Sequence, residues 1–406
     1  MIAKSLDQKL ANILADSSCK DFILADAKDA DMAFGLSAPG KSPEHHAHEG
    51  NFRSLDDYRR LIRDVVDQGL VDIMLMSAST SELLTIRQRL FDNSHITPAI
   101  RANDTSEIWL AGGEVQYANQ PSRPFRTATL DHAMCGKAAC EPEERTLGAD
   151  LGLYSVTFNN DIQLDGDTLE AYKAFRIEAE QKNFRHFLEL FDPNAPAVPV
   201  PNVGKFLNDH IARTLAGVTS KGRPIFLKIP YHGPEAMEAL ATYDPNLVPG
   251  ILGGGAGTTY DAFFQLHDAR KHGARAALYG RKINHSEHQL TFVRYLRALA
   301  DDEIKPDEAV KAYHGDLQRL SIQPYRSLEE DMKLTVTATA YGGTKTAVAV
   351  DGGRPAPAAH SAAANISNNG HASVSNNGSD RPDFAAMSSA DRIAYHRARL
   401  DRRFGR

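Results

Sequence analysis

No stretch of this 406-residue chain stays apolar for anything near the roughly 20 residues that cross a bilayer, so no transmembrane helix is expected. Cysteine is scarce. Cys19, Cys135 and Cys140 cannot all pair and no CxxC is present, which fits a reducing cytosol better than secretion. A positive excess is also missing: the net charge of −6 leaves no basic footprint for nucleic acid. The opening MIAKSLDQKLANILADSS reads as an amphipathic helix with acids and lysines, not as a signal peptide. A soluble, cytoplasmic protein is expected.

What is present is alternation. Short apolar runs occur at 22–26 (FILAD), 71–76 (VDIMLM), 96–101 (ITPAIR) and 152–158 (GLYSVTF). They continue at 186–190 (HFLEL), 225–229 (IFLKI), 247–252 (LVPGIL) and 276–280 (AALYG). Most are continuous rather than alternating, as parallel strands covered on both faces are. Helical patterns such as SLDDYRRLIRDVVDQG and TTYDAFFQLHDARKHG lie between them, several opening on a Ser, Thr or Asn cap. Eight strand–helix units predict a (β/α)₈ TIM barrel over residues 1–340, with an open doubly wound sheet as the alternative. Within 102–135, GGEVQYANQPSRPFRTATLDH suggests a hairpin or long loop inserted in the third unit.

Beyond residue 340 the composition changes. Residues 341–387 are dominated by Ala, Gly, Ser, Asn and Pro, and read as a flexible linker. Residues 388–406 read as a short amphipathic helix: Ser388 and Asp391 form a capping box, and Ile393, Ala394, Leu400 and Phe404 form a narrow apolar stripe among arginines.

A barrel works at the C-terminal ends of its strands. Lys228 sits near the end of the sixth run, inside IFLKIPYHGP. An apolar surround disfavours a charged amine, and a neutral amine is a nucleophile for carbonyl carbon. Glu189 holds the equivalent place on the fifth run; Asp26 ends the first, with Asp29 and Asp31 in its loop. Asn159, Asn160 and Asp161 follow the fourth. GILGGGAGTTYDAF is a glycine-rich turn into a helix, with Thr258 as its cap, and ALYGRKIN adds Gly280 and Arg281. Such turns suit an anion, and the seventh and eighth loops are where barrels hold phosphate.

The ordered set LKIPYHGP, GILGGGAGT and GARAALYGRKI resembles the metal-independent class I aldolases of the DeoC/LacD and DhnA-type group. The resemblance implies a Schiff base on Lys228 and a substrate phosphate held by Gly254, Gly255, Gly257, Gly280 and Arg281. It also implies Glu189 and Asp26 as site acids, Asn159 as a further contact, and no cofactor. The group's fourth-strand tyrosine is Phe158 here, leaving proton transfer to Glu189 or Asp26, with Tyr231 also considered and Tyr154 expected deeper in the barrel. The implied reaction splits a deoxy-ketose phosphate into dihydroxyacetone phosphate and an aldehyde such as lactaldehyde. The tail resembles the encapsulation peptides of bacterial microcompartment cargo, which implies a shell protein as partner and the compartment lumen as location. A homo-oligomer is expected.

Three alternatives stand beside this. Lys228 and Glu189 can be a purely structural pair. The loop SPEHHAHEGNF, with His45, His46 and His48 between Glu44 and Glu49, suits zinc and a metal-dependent aldolase. A phosphate-binding scaffold barrel needs no catalysis at all. LDHAMCGKAAC, with Asp131, His132 and Cys135, reads as the end of the insertion and the start of a helix.

Overall fold

The computed structural model describes residues 2–40, 52–110, 115–255, 257–336 and Ser388. The histidine loop, the linker 341–387 and the tail beyond Ser388 lie outside the described residues. The following concerns the unit Met1–Ala349.

All eight apolar runs are strands. They are β1 (Ile23–Lys28), β2 (Ile73–Met76), β3 (Thr97–Arg101), β4 (Leu151–Thr157), β5 (Arg185–Phe191), β6 (Leu227–Lys228), β7 (Gly250–Leu252) and β8 (Ala276–Tyr279). Each pairs in parallel with its neighbour, and β8 pairs with β1. An Ile229–Ile251 bridge, with Ile229 N donating to Gly250 O and Leu252 N to Ile229 O, joins β6 to β7. The barrel is therefore closed, and no strand edge remains to be protected.

Side-chain alternation divides two cores. Ile23, Ala25, Ala27, Leu75, Ala99, Leu153, Phe187, Phe226, Ala276 and Leu278 fill the barrel interior. Leu6 and Leu10 of the N-terminal helix Ser5–Ala15 join that core and plug its lower end. Lys4 ties the plug down by donating to the carbonyls of Phe91, Ser94 and Ile96. Residues one step out of phase, among them Leu24, Met74, Ile100, Tyr154, Leu227 and Ile229, pack outward against the helices. Because the strand period is two, this parity decides which side chains can reach the barrel mouth.

The insertion in the third unit contains the expected hairpin, Asp104–Thr105 against Pro124–Phe125, followed by a short helix, Leu130–Cys135. Trp109 stacks on Tyr117 and meets Phe125 edge-on, which stiffens the hairpin. Ile108 descends from it to pack with Ala33, Phe191 and Leu252 over the barrel mouth. Cys135 and Cys140 are joined in a disulfide, a pairing that the reading of a reducing cytosol did not include. The turn at Gly136, left-handed at φ +76°, brings their Cα atoms to 5.9 Å, within disulfide range.

Gly280 ends β8 where a Cβ would stand 2.7 Å from the carbonyl oxygen of Ala27 on β1. Gly280→Ala is therefore expected to cost about 1–3 kcal/mol by spreading the β8–β1 seam, read as a lowered denaturation midpoint.

Candidate active site

The inward parity of five strands converges on one chain of charge. Lys228 Nζ lies 2.5 Å from Glu189 Oε1, an ion pair not aligned as a hydrogen bond. Glu189 Oε2 accepts from Ser155 Oγ at 2.6 Å and stands 3.5 Å from the Arg101 guanidinium. Arg101 donates through Nε to Asp29 Oδ2 at 2.5 Å and through Nη1 to Ser155 Oγ at 3.1 Å. Asp29, Arg101, Glu189 and Lys228 are all buried. Buried charges persist only when paired and hydrogen-bonded, and here each has an opposite neighbour.

Above this chain opens a cleft. Asp29, Arg101, Lys228, Gly254, Gly280 and Arg281 are among its lining residues. The structure thus brings Lys228, Gly254, Gly280 and Arg281 to one cleft, with Glu189 in contact with Lys228. Phe34 lies beneath the Arg281 guanidinium, 5.9 Å from ring centre to charge.

The first-strand acid that lines the cleft is Asp29, not Asp26. Asp26 shares the outward face of β1 with Leu24 and pairs with Lys28, 2.6 Å away, both side chains being fully buried. Burial pushes the Asp26 carboxyl up and the Lys28 amine down, each against the pull of the other. Asp29 follows Ala25 and Ala27 on the inward face and takes the place assigned to Asp26. Asn159 is also outside the cleft lining. Its amide bonds Asn194 Oδ1 and its Oδ1 accepts from Ala195 N, stapling the loop after β5. Tyr154 is not deeper in the barrel but on its outer face, against Phe175. Tyr231 donates to Asp268 on the helix Thr259–Lys271, and burial raises its phenol pKa. Neither tyrosine is placed to serve the cleft.

The glycine turn after β7 is held tightly. Gly257 adopts φ +82°, and a Cβ there would meet Asp261 Oδ2 at 2.1 Å. Thr258 caps the following helix in a capping box with Asp261, as expected. Two N–H groups at that helix start are already taken: Thr258 N donates to Asp261 and Thr259 N to Asp331. Those two donors are therefore not free to meet a ligand. Lys282 donates to the carbonyls of Gly257 and Thr258, and burial lowers its pKa to about 8.

Sequence reasoning missed Arg101 and Ser155. Arg101 ends an otherwise apolar run, the one signal that could have marked it. Ser155, an ordinary strand residue, carried none. It also missed Asp104, buried on the inserted hairpin near Arg101. Burial raises its pKa to about 6, opposed by Arg101 and reinforced by Asp29, Asp31 and Glu189.

No family model matches the sequence, and no curated protein is similar to it. Solved structures share the fold. A fructose-bisphosphate aldolase from Slackia heliotrinireducens aligns with TM-score 0.54 at 13% identity, covering 76% of this chain and 89% of that one. An archaeal fructose 1,6-bisphosphate aldolase aligns with TM-score 0.51 at 14% identity, covering 72% and 99%. A Schiff-base-forming fructose-1,6-bisphosphate aldolase gives 0.50 at 15% identity over 72% and 99%. At these identities the likeness establishes the barrel fold.

Three outcomes are expected. Asp29→Asn lowers turnover by about 10²-fold or more, the usual share of an acid–base group, and costs about 3–5 kcal/mol of stability because buried Arg101 loses a charged partner. Asp26→Asn strands the Lys28 charge and likewise costs about 3–5 kcal/mol in thermal unfolding, but turnover of the folded protein stays within a few fold. Asp104 has a folded pKa above its unfolded value near 4, so the native state binds its proton more tightly and stability falls as pH rises towards 6. Asp104→Asn should then stabilise the fold by about 1–3 kcal/mol at pH 7.5 and by little at pH 4, checked by denaturation at both values.

Proposed function

We propose that this protein is a class I aldolase that splits a ketose 1-phosphate into dihydroxyacetone phosphate and a small uncharged aldehyde such as lactaldehyde. The observation that carries the reading is Lys228 at the floor of an anion-suited cleft, with Glu189 2.5 Å from its amine. Lys228 Nζ passes its proton to Glu189 and adds to the ketone carbon, and the resulting hydroxyl takes that proton and leaves as water, giving an iminium. The carbon–carbon bond then breaks as its electron pair flows into the iminium, forming an enamine. The hydroxyl proton of the departing aldehyde passes to a carboxylate, Asp29 or Glu189. Protonation of the enamine carbon and hydrolysis of the imine free dihydroxyacetone phosphate and Lys228. Arg101, bonded to Asp29 and 3.5 Å from Glu189, holds both acids in register for these transfers.

Charge distribution supports a single phosphate. On the β7–β8 side the lining carries Gly254, Gly280 and Arg281. On the β1–β5 side Arg101 faces Asp29 and Glu189, and the hairpin adds the buried acids Asp104 and Glu107. A second phosphate dianion on that side would meet more carboxylate than guanidinium. The apolar cover of Ile108, Phe191 and Leu252 suits a methyl-bearing aldehyde better.

Cleavage of rhamnulose 1-phosphate or fuculose 1-phosphate, followed by coupled reduction of the triose phosphate, tests the reading. Activity should survive EDTA, exceed that on fructose 1,6-bisphosphate, and fall by ~10³-fold or more in Lys228→Ala. Loss of cleavage to EDTA would instead favour the zinc reading of the histidine loop. No cleavage under any condition would favour a scaffold barrel.

For the tail, we propose docking of residues 388–406 to a microcompartment shell protein, on the grounds of their sequence alone. Deleting 388–406 should leave turnover unchanged but turn foci seen in cells co-expressing shell proteins into diffuse fluorescence; foci that persist without the tail contradict it.

A further inference from the structure

The chain does not leave the barrel at its last long helix. After Pro306–Arg319 it turns back, with Tyr325 N donating to Glu287, and Ser327 caps a short helix, Leu328–Asp331. Met332 packs against the main core. The next residues lie along the start of the helix Thr259–Lys271, where the glycine turn ends.

Every anchor there is a directed hydrogen bond. Asp331 Oδ1 accepts from Thr259 N at 2.8 Å, while its Oδ2 is held by His314 Nε2 at 3.0 Å. Thr258 Oγ1 donates to Lys333 O at 2.8 Å. Asp261, itself almost fully buried, accepts from Thr335 N at 2.7 Å, Val336 N at 3.0 Å and Thr335 Oγ1 at 2.5 Å, as well as from Thr258 N. Gln265 Nε2 closes the set on Val336 O at 3.0 Å. Asp261 is also the residue whose carboxylate fills the space beside Gly257. Its position sets the conformation of the turn, and residues 335 and 336 supply three of its four donors.

We propose that residues 331–336 are a positioning strap for the anion-binding turn, so that this C-terminal segment completes the phosphate half of the substrate site. The proposal rests on the Schiff-base reading for what the phosphate does, but not for whether the strap shapes the turn. Loosening the strap frees Asp261 and, through it, Gly257 and its neighbours. The cost falls on phosphate recognition, because Lys228, Glu189, Arg101 and Asp29 lie on other strands.

The test uses the full chain with Thr335→Val, which removes one hydroxyl without changing shape, and separately Asp331→Ala. Borohydride trapping is followed against the concentration of dihydroxyacetone phosphate and of dihydroxyacetone. Both variants should raise the half-saturating concentration of the phosphate ester by about tenfold, as loss of a hydrogen bond to a charged group does, and keep its limiting rate. Trapping by dihydroxyacetone should stay within about twofold. Equal weakening for both ketones, or none for either, overturns the strap. Calorimetric titration with inorganic phosphate reads the turn without covalent chemistry. The same tenfold weakening is expected; unchanged affinity in the variants, or no binding by the unaltered protein, overturns the proposal. If neither ketone is trapped by any protein, the Schiff-base reading fails and the phosphate titration still decides the strap.

Discussion

The site depends on one constraint: four charged side chains must share the interior of a barrel that is otherwise apolar. Lys228, Glu189, Arg101 and Asp29 satisfy it by alternating in sign, with Ser155 filling the remaining valence between Arg101 and Glu189. Remove one member and its neighbours are left buried without a partner, at a cost of several kcal/mol. The chain crosses the barrel from β6 to β5 to β3 to β1, so its geometry requires barrel closure. A one-residue register slip in any of those strands would turn a charge into the helix layer. The same parity that seals Ala25 and Ala27 inside sends Asp26 and Lys28 outside, where they neutralise each other.

In the proposed reading, the two halves of the cleft, one reacting and one holding the anion, are built on different principles. The reacting half uses side chains fixed on strands, where packing holds position to fractions of an ångström. The anion half uses backbone on a turn, and a turn is only as well placed as what grips its ends. Lys282 grips it from the β8 side, Asp261 from its own helix, and the returning C-terminal segment grips Asp261. This division lets substrate positioning and bond cleavage be disturbed separately.

Much of the fold was legible, and for a clear reason. Parallel barrel strands are buried on both faces, so each run stood out as continuous apolar sequence between capped helices. That continuity also hid the inward–outward parity, because Ala25 and Leu24 are both apolar though they face opposite cores. Hence Asp26 was chosen over Asp29, and Tyr154 was expected inside when it packs against Phe175 outside. Lys228, Glu189, Gly280 and Arg281 stand out in the sequence because a charge or a glycine at a strand end breaks the apolar pattern. Arg101 broke it too, but without a partner in view. The strap was illegible: DMKLTV resembles a chain drifting into a linker, and only hydrogen bonds across more than 70 residues of sequence reveal its hold on Asp261.

Three lysines are drawn into the structure near the barrel mouth, and the proposed chemistry needs one of them, Lys228, to react with a carbonyl. Lys28 is sealed outside the barrel against Asp26, and Lys282 is spent on two carbonyls of the turn. Among the described residues, only Lys228 combines an opposing carboxylate with access to the cleft. The direct measurement is peptide mass mapping of the protein reduced with borohydride in the presence of dihydroxyacetone phosphate. The account predicts a single adduct, on the peptide containing Lys228. An adduct on Lys28 or Lys282, or a protein of unchanged mass, would contradict it.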